Sequence, residues 1–235
     1  IYAWNRTTGA FGAAGTTAYA RLCSADLPPV SAFYNAASGK GTQNRIFLNG
    51  EETGDEGRAF AHVATGPDAG KSWELPHLGQ ASWENQLACP YAQDATIVIS
   101  TDDTTPGQVY VYVGAKNSTG ATDVEKAGLV GGTLYGVRAN QVVKEDRSLN
   151  VGITAKGGSA TFSMISLGDV SGTLGTTLPN TTGLKLQTNS VAAGVTEFLR
   201  PEDGSWDPSN PADFYFVTTD RFDNLKNGGN TSGTN

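Results

Sequence analysis

Acidic residues sit at the mouths of β-type runs in four places along the chain. Asn49-Gly50-Glu51-Glu52 follows Arg45-Ile46-Phe47-Leu48, and Ser82-Trp83-Glu84-Asn85 is the second. Thr101-Asp102-Asp103 follows Thr96-Ile97-Val98-Ile99, and Arg200-Pro201-Glu202-Asp203 follows Glu197-Phe198-Leu199. Carboxylates gathered at strand ends are hard oxygen donors, of which calcium takes about six to eight. Each motif alone is also ordinary turn chemistry, because Asp, Asn and Gly populate strand ends. It is the recurrence, with Trp83 or Arg200-Pro201 beside the acid, that points to one shared site.

The candidate metal ligands are therefore Glu51, Glu52, Glu84, Asp102, Asp103, Glu202 and Asp203. Asn44, Asn49 and Asn85 offer neutral oxygens. Glu51 and Glu52 lie in an acid-rich stretch that needs a cation, or Arg58, to offset its repulsion. A Glu beside a large aromatic, as at Trp83-Glu84, is partly desolvated and needs a metal, an Arg or a backbone N–H as partner. Arg200 either binds a phosphate in bidentate fashion or pairs with a neighbouring acid. His62, in Phe60-Ala61-His62-Val63, reads as an ordinary strand histidine. Nothing in the chain matches a nucleophile elbow, a P-loop or a dinucleotide-binding fingerprint.

The elements that must hold these residues are short strands separated by Gly, Asn, Asp and Pro clusters. Candidate strands are 1–4, 45–48, 58–64, 72–75, 96–100, 108–113, 133–139, 160–167, 184–188 and 213–218. Val109-Tyr110-Val111-Tyr112-Val113 is the clearest, with β-branched and aromatic residues in alternation. Asp102 to Gly107 joins it to the preceding run as an antiparallel hairpin. Helical periodicity is nearly absent; 121–129 and 166–178 have room for a turn or two. Residues 114–132 and 140–158 read as Gly-rich surface connections. The expected class is all-β. A propeller suits the acids better than a sandwich, because it brings equivalent loops of successive blades to one mouth.

Composition narrows the partners. With 16 Lys and Arg against 23 Asp and Glu, the net charge of -7 disfavours nucleic acid and anionic membranes but suits divalent cations. No apolar run reaches the ~18 residues of a membrane span. Abundant Thr, Ser, Asn and Gly suggest a secreted, periplasmic or cell-surface bacterial protein. Cys23 and Cys89 are far apart and read as two separate buried thiols rather than a disulfide. The strand-like start at Ile1 and the polar run to Asn235 suggest part of one propeller domain of a longer chain, with 221–235 as a mobile tail or loop. The missing remainder of that chain would then be a partner.

The four motifs, in their order and spacing, resemble the PhoX-type alkaline phosphatases and their bacterial relatives. Gly107-Gln108 to Ala115-Lys116, Ala127-Gly128-Leu129, and Trp206-Asp207-Pro208 before Phe214 to Thr219 add to the likeness, which covers most of residues 20–220. The resemblance implies a propeller whose axial acids hold calcium and iron and clamp a phosphate ester. By motif, Glu51 or Glu52, Glu84, Asp102 or Asp103, and Glu202 would be ligands, with Arg200 nearby. One departure stands out: this chain has Gly50-Glu51-Glu52 where those phosphatases have Cys-Glu-Glu, whose cysteine is an iron ligand. The implied function is a calcium-binding phosphomonoesterase acting on a phosphorylated small molecule. The alternative is a non-catalytic, calcium-stabilised extracellular binding or surface-assembly protein.

Overall fold

The computed structural model describes residues 1–140, 142, 144–145, 159–173, 184–210 and 212–219. Over these residues the fold is all-β, built from one five-stranded, one three-stranded and three two-stranded antiparallel sheets. Two short hairpins lie near the N-terminus: β1 (Trp4–Asn5) with β2 (Ala10–Phe11), and β3 (Tyr34–Asn35) with β4 (Lys40–Gly41). A three-stranded meander follows, β5 (Ile46–Gly50), β6 (Ala59–Val63) and β7 (Ser72–Glu74). The largest sheet is a five-stranded meander of β8 (Trp83–Ala88), β9 (Ala95–Asp102), β10 (Val109–Ala115), β11 (Thr133–Ala139) and β12 (Phe162–Gly168). A last hairpin pairs β13 (Pro201–Trp206) with β14 (Phe214–Thr218).

Side-chain alternation divides the large sheet into two buried faces. Val98, Tyr110, Tyr112 and Leu134 look into the main core, where they meet Ile46, Leu48, Ala61 and Trp73 from the three-stranded sheet. Ile99, Val109 and Val111 face the other way, onto Phe198, Trp206, Phe214 and Phe216 around the last hairpin. The last hairpin thereby lies against β8 and β9 and brings its first residues near theirs.

The expected runs at 45–48, 58–64, 72–75, 96–100, 108–113, 133–139, 160–167 and 213–218 all contain strands, and β9 and β10 form the expected hairpin. Two expectations need correction, and two strands were not foreseen. Residues 184–188 belong to a helix, α2 (Leu184–Ala192), not a strand. Leu186 and Ser190, four apart, are both buried, and Gly194 at φ 82 ends the element. Residues 114–132 are no surface insertion. They include α1 (Asp123–Lys126), started by a Thr122/Glu125 capping box, and they sink Val124, Ala127 and Leu129 completely into the core. The runs 83–88 and 201–206 are strands that alternation does not reveal, because each carries a bulge. Most of 140–158, part of 166–178 and all of 221–235 lie outside the described residues.

Candidate metal centre

Both bulges sit where acids are needed. The pairing of β8 with β9 shifts between Trp83 and Asn85, so Glu84 is the extra residue, aimed off the regular face. The pairing of β13 with β14 shifts between Pro201 and Gly204, the stretch holding Glu202 and Asp203. Asp103 follows the end of β9, fixed by its N–H donating to the Ser82 carbonyl at 2.8 Å. Glu52 follows β5, its N–H donating to the Arg21 carbonyl at 2.8 Å.

These elements bring four acids together. Ligand atoms of Glu84, Asp103 and Glu202 all lie within 4.8 Å of one another, and so do those of Cys23, Glu52 and Glu84. The two triads share Glu84, which is 6% exposed. Its Oε2 accepts from the Cys23 thiol at 3.1 Å and its Oε1 from the Ser24 hydroxyl at 3.0 Å. Burial raises the Glu84 pKa, with further upward pushes from Glu202 and Asp203. Burial also lifts the Cys23 thiol to about 12, aided by its hydrogen bonds to Glu84 and Glu52, so Cys23 is protonated and donating here.

Cys23 is the member that sequence reading missed. Its segment runs beside β5, with the Asp26 N–H donating to the Leu48 carbonyl at 2.9 Å and the Cys23 N–H to the Gly50 carbonyl at 3.2 Å. The thiol thus reaches the end of β5 from a neighbouring segment. A Cβ built on Gly50 would fall 2.3 Å from the Trp83 Cβ, far inside contact distance. Trp83 is fully buried in the core, so position 50 has no room for any side chain, cysteine included. The only sequence signal was a Cys more than twenty residues upstream of the acids, and nothing local ties the two. Both cysteines are free thiols, as expected; Cys89 is buried as expected, whereas Cys23 is only half-buried.

Cations already touch the cluster. Arg200 makes a bidentate pair with Asp103, Nε to Oδ1 at 2.8 Å and Nη2 to Oδ2 at 2.7 Å, and its Nη2 lies 2.8 Å from Glu202. Arg21 Nη2 lies 2.6 Å from Glu52 Oε2. Arg200 adopts φ 53, a left-handed backbone that a non-glycine residue occupies only at a cost. Its N–H donates to the Thr104 carbonyl and its own carbonyl accepts from Thr219 N–H, both at 3.1 Å, which holds it there.

The other candidates face elsewhere. Glu51 accepts from Arg58 Nε at 2.8 Å and Nη2 at 2.6 Å, and from the N–H groups of Ala20 and Arg58. Asp203 accepts from Asn85 Nδ2 at 2.8 Å. Asp102 turns into the protein, where burial pushes its carboxyl up to about 7 against hydrogen bonds from Thr104 and Ser82. Asn49 accepts at 2.8 Å from His62, whose other nitrogen meets Ser72, so His62 is the strand histidine expected. Asn44 binds Asp123.

Fold and cluster together define an all-β protein of antiparallel sheets with acidic and thiol donors gathered near its strand ends. No family model and no curated protein matches the chain. Among solved structures it is similar to Pseudomonas fluorescens PhoX in complex with vanadate, a transition state analogue. The two share 13% identity at a TM-score of 0.49, over 82% of this chain and 43% of that one. The chain thus spans less than half the length of that structure. Among the described residues, no helix is long and apolar enough to cross a membrane.

Proposed function

We propose that the cluster is a cation site at which a phosphate monoester is bound and hydrolysed. The observation that carries this reading is the pair of ligand triads joined at Glu84, with the Arg200 guanidinium held against Asp103. The donor chemistry fits. Glu84, Asp103 and Glu202 are all-oxygen donors suited to calcium, while Cys23, Glu52 and Glu84 add a sulfur suited to a transition ion such as iron. Burial, and after it the repulsion of Glu202 and Asp203, raises the Glu84 pKa, and a cation held beside Glu84 would offset both. A cation held here would polarise a phosphoryl oxygen and stabilise the charge that develops on it.

The chain's own groups have defined tasks in this reading. Cys23 must give up its proton to ligate, so thiol coordination is favoured as pH rises. Arg200, its backbone fixed by Thr104 and Thr219, now holds Asp103 with its planar fork and would exchange that carboxylate for phosphate oxygens on substrate binding. Ser24 orients Glu84 through its hydroxyl. The motif resemblance to PhoX-type phosphatases supports the substrate class, and composition supports a place in the periplasm or at the cell surface.

The test is hydrolysis of p-nitrophenyl phosphate by the purified chain with calcium, with iron and with both, alongside its bound metal by mass spectrometry. Metal-dependent turnover that disappears in Glu84→Gln is the expected result. Bound metal with no turnover would leave the second reading, a calcium-stabilised binding protein. That reading has an observation of its own: Arg200 and Arg21 already pair with Asp103, Glu202 and Glu52, so three of the acids have internal counter-charges.

A further inference from the structure

The core-facing side of the large sheet carries a polar layer that the candidate metal centre does not use. Two rows cross β8, β9 and β10. In one, Trp83 pairs with Asp102, whose N–H donates to the Gln108 carbonyl at 3.1 Å. In the next, Gln86 pairs with Ser100 and Ser100 with Tyr110. Rows two residues apart on one face place their side chains within reach of one another. Asp102 is 3% exposed and the other five are fully buried.

The layer satisfies itself only in part. Ser100 donates to Gln86 Oε1 at 2.6 Å, and the Tyr110 hydroxyl meets Gln108 Oε1 at 3.3 Å and the Ser190 hydroxyl of α2 at 3.2 Å. Trp83 Nε1, Gln86 Nε2, Gln108 Nε2 and Asp102 Oδ1 are left buried with no hydrogen-bond partner. An orphaned buried polar atom is costly, and four from adjacent ladder positions would weigh heavily against a marginal folding free energy.

We propose that this layer is an internal water-binding site, in which ordered waters bridge the Trp83, Gln86 and Gln108 N–H groups to the Asp102 carboxyl. The donor set excludes other occupants. Three N–H donors repel a metal cation, while Asp102, with the Asp55 carboxylate acting on both it and Tyr110, disfavours an anion. What remains is a small neutral molecule that both donates and accepts, and buried waters typically make about three hydrogen bonds. Trp83 and Asp102 immediately precede Glu84 and Asp103, so the waters would lie under the strand ends that carry two of the clustered acids. The proposal stands whether or not the centre is catalytic.

A high-resolution crystal structure of the wild-type chain should show water within hydrogen-bond distance of Trp83 Nε1 and Gln108 Nε2. A direct Gln108-to-Asp102 hydrogen bond, or an empty layer, would overturn the proposal. Oxygen-17 relaxation dispersion of the intact protein should show long-lived waters, with at least one lost in the Gln86→Met/Gln108→Met double variant, whose melting temperature should fall. An unchanged dispersion, or a melting temperature that rises because unsatisfied groups were removed, would contradict it. If the double variant does not fold, the wild-type crystal structure decides alone.

Discussion

Glu51 and Glu52 are adjacent in the chain, yet they serve two regions with opposite electrostatics. Around Glu51, one acid meets a guanidinium in two hydrogen bonds and two backbone N–H groups in two more. Burial pushes the Glu51 carboxyl up, but Arg58 and those N–H groups outweigh it, and its pKa ends below the usual range. Around Glu84, three more carboxylates and a thiol crowd together, and burial, with repulsion from Glu202 and Asp203 added, leaves its pKa above the usual range. The first region is complete as it stands. The second is stable only to the extent that something offsets its repulsion, which is the difference between a structural ion pair and a site.

The largest effect should come from breaking the complete region. Arg58→Met would leave Glu51 buried and unpaired, and we expect a loss of about 3–5 kcal/mol in urea unfolding. Acid should weaken the wild-type pair in the same direction. Because the folded pKa of Glu51 is depressed, its stabilisation is full above the unfolded value of about 4.3 and is lost as pH falls through the lower folded value. If Arg58→Met unfolds at the wild-type urea midpoint, the ion pair is not the structural element described.

Next in size is the tight contact where the regions meet. Gly50→Cys places a Cβ against Trp83, and overpacking of this kind costs roughly 1–3 kcal/mol or more. The substitution should lower the melting temperature without raising iron content, since the thiol position is taken by Cys23. A stable Gly50→Cys protein with newly bound iron would show that Trp83 yields and that the thiol belongs at position 50.

How much of this was legible in the sequence depends on whether a feature is local. The hairpin of β9 and β10 was, because Val109 to Val113 alternates and Asp102 to Gly107 is turn chemistry. That acids from separate motifs converge was also readable, from their repeated place at strand ends. Which acids converge was not. Glu51 and Glu52 differ only in the face they present, and the choice is made by Arg58 and by the 18–26 segment lying along β5. Likewise, Glu84 and Glu202 owe their direction to bulges, which break the alternation that sequence reading relies on. Helix α2 was misread for a different reason: among its described side chains Leu186 and Ser190 are the buried ones, too few to print a helical stripe.

A smaller effect, opposite in sign, should follow from Glu84→Gln. Its raised folded pKa means that ionised Glu84 destabilises the cation-free fold. Stability is highest below the unfolded value of about 4.3 and declines as pH rises through the folded value, the reverse of Glu51. Removing the charge should therefore stabilise the metal-free protein at neutral pH, by at most about 1 kcal/mol given its remaining contact with solvent. The same variant should lose the calcium-induced rise in melting temperature that binding to the folded state confers. Retention of that rise would mean that calcium binds elsewhere.

The smallest expected change in stability, and the sharpest probe of the contrast, is Arg21→Ala. The Arg21 side chain is 67% exposed, so its pair with Glu52 should contribute no more than about 0.5 kcal/mol, and the urea midpoint should barely move. Cation affinity should change in the other direction. With Arg21 gone, Glu52 loses its internal counter-charge, and the Cys23, Glu52 and Glu84 triad should hold a cation more tightly by isothermal titration. The two regions then respond differently to the same kind of substitution: removing an arginine from Glu51 destroys stability, while removing one from Glu52 frees a ligand. Weaker cation binding in Arg21→Ala would mean that Arg21 orders Glu52 for coordination rather than competing with the ion, and that the second region is as preassembled as the first.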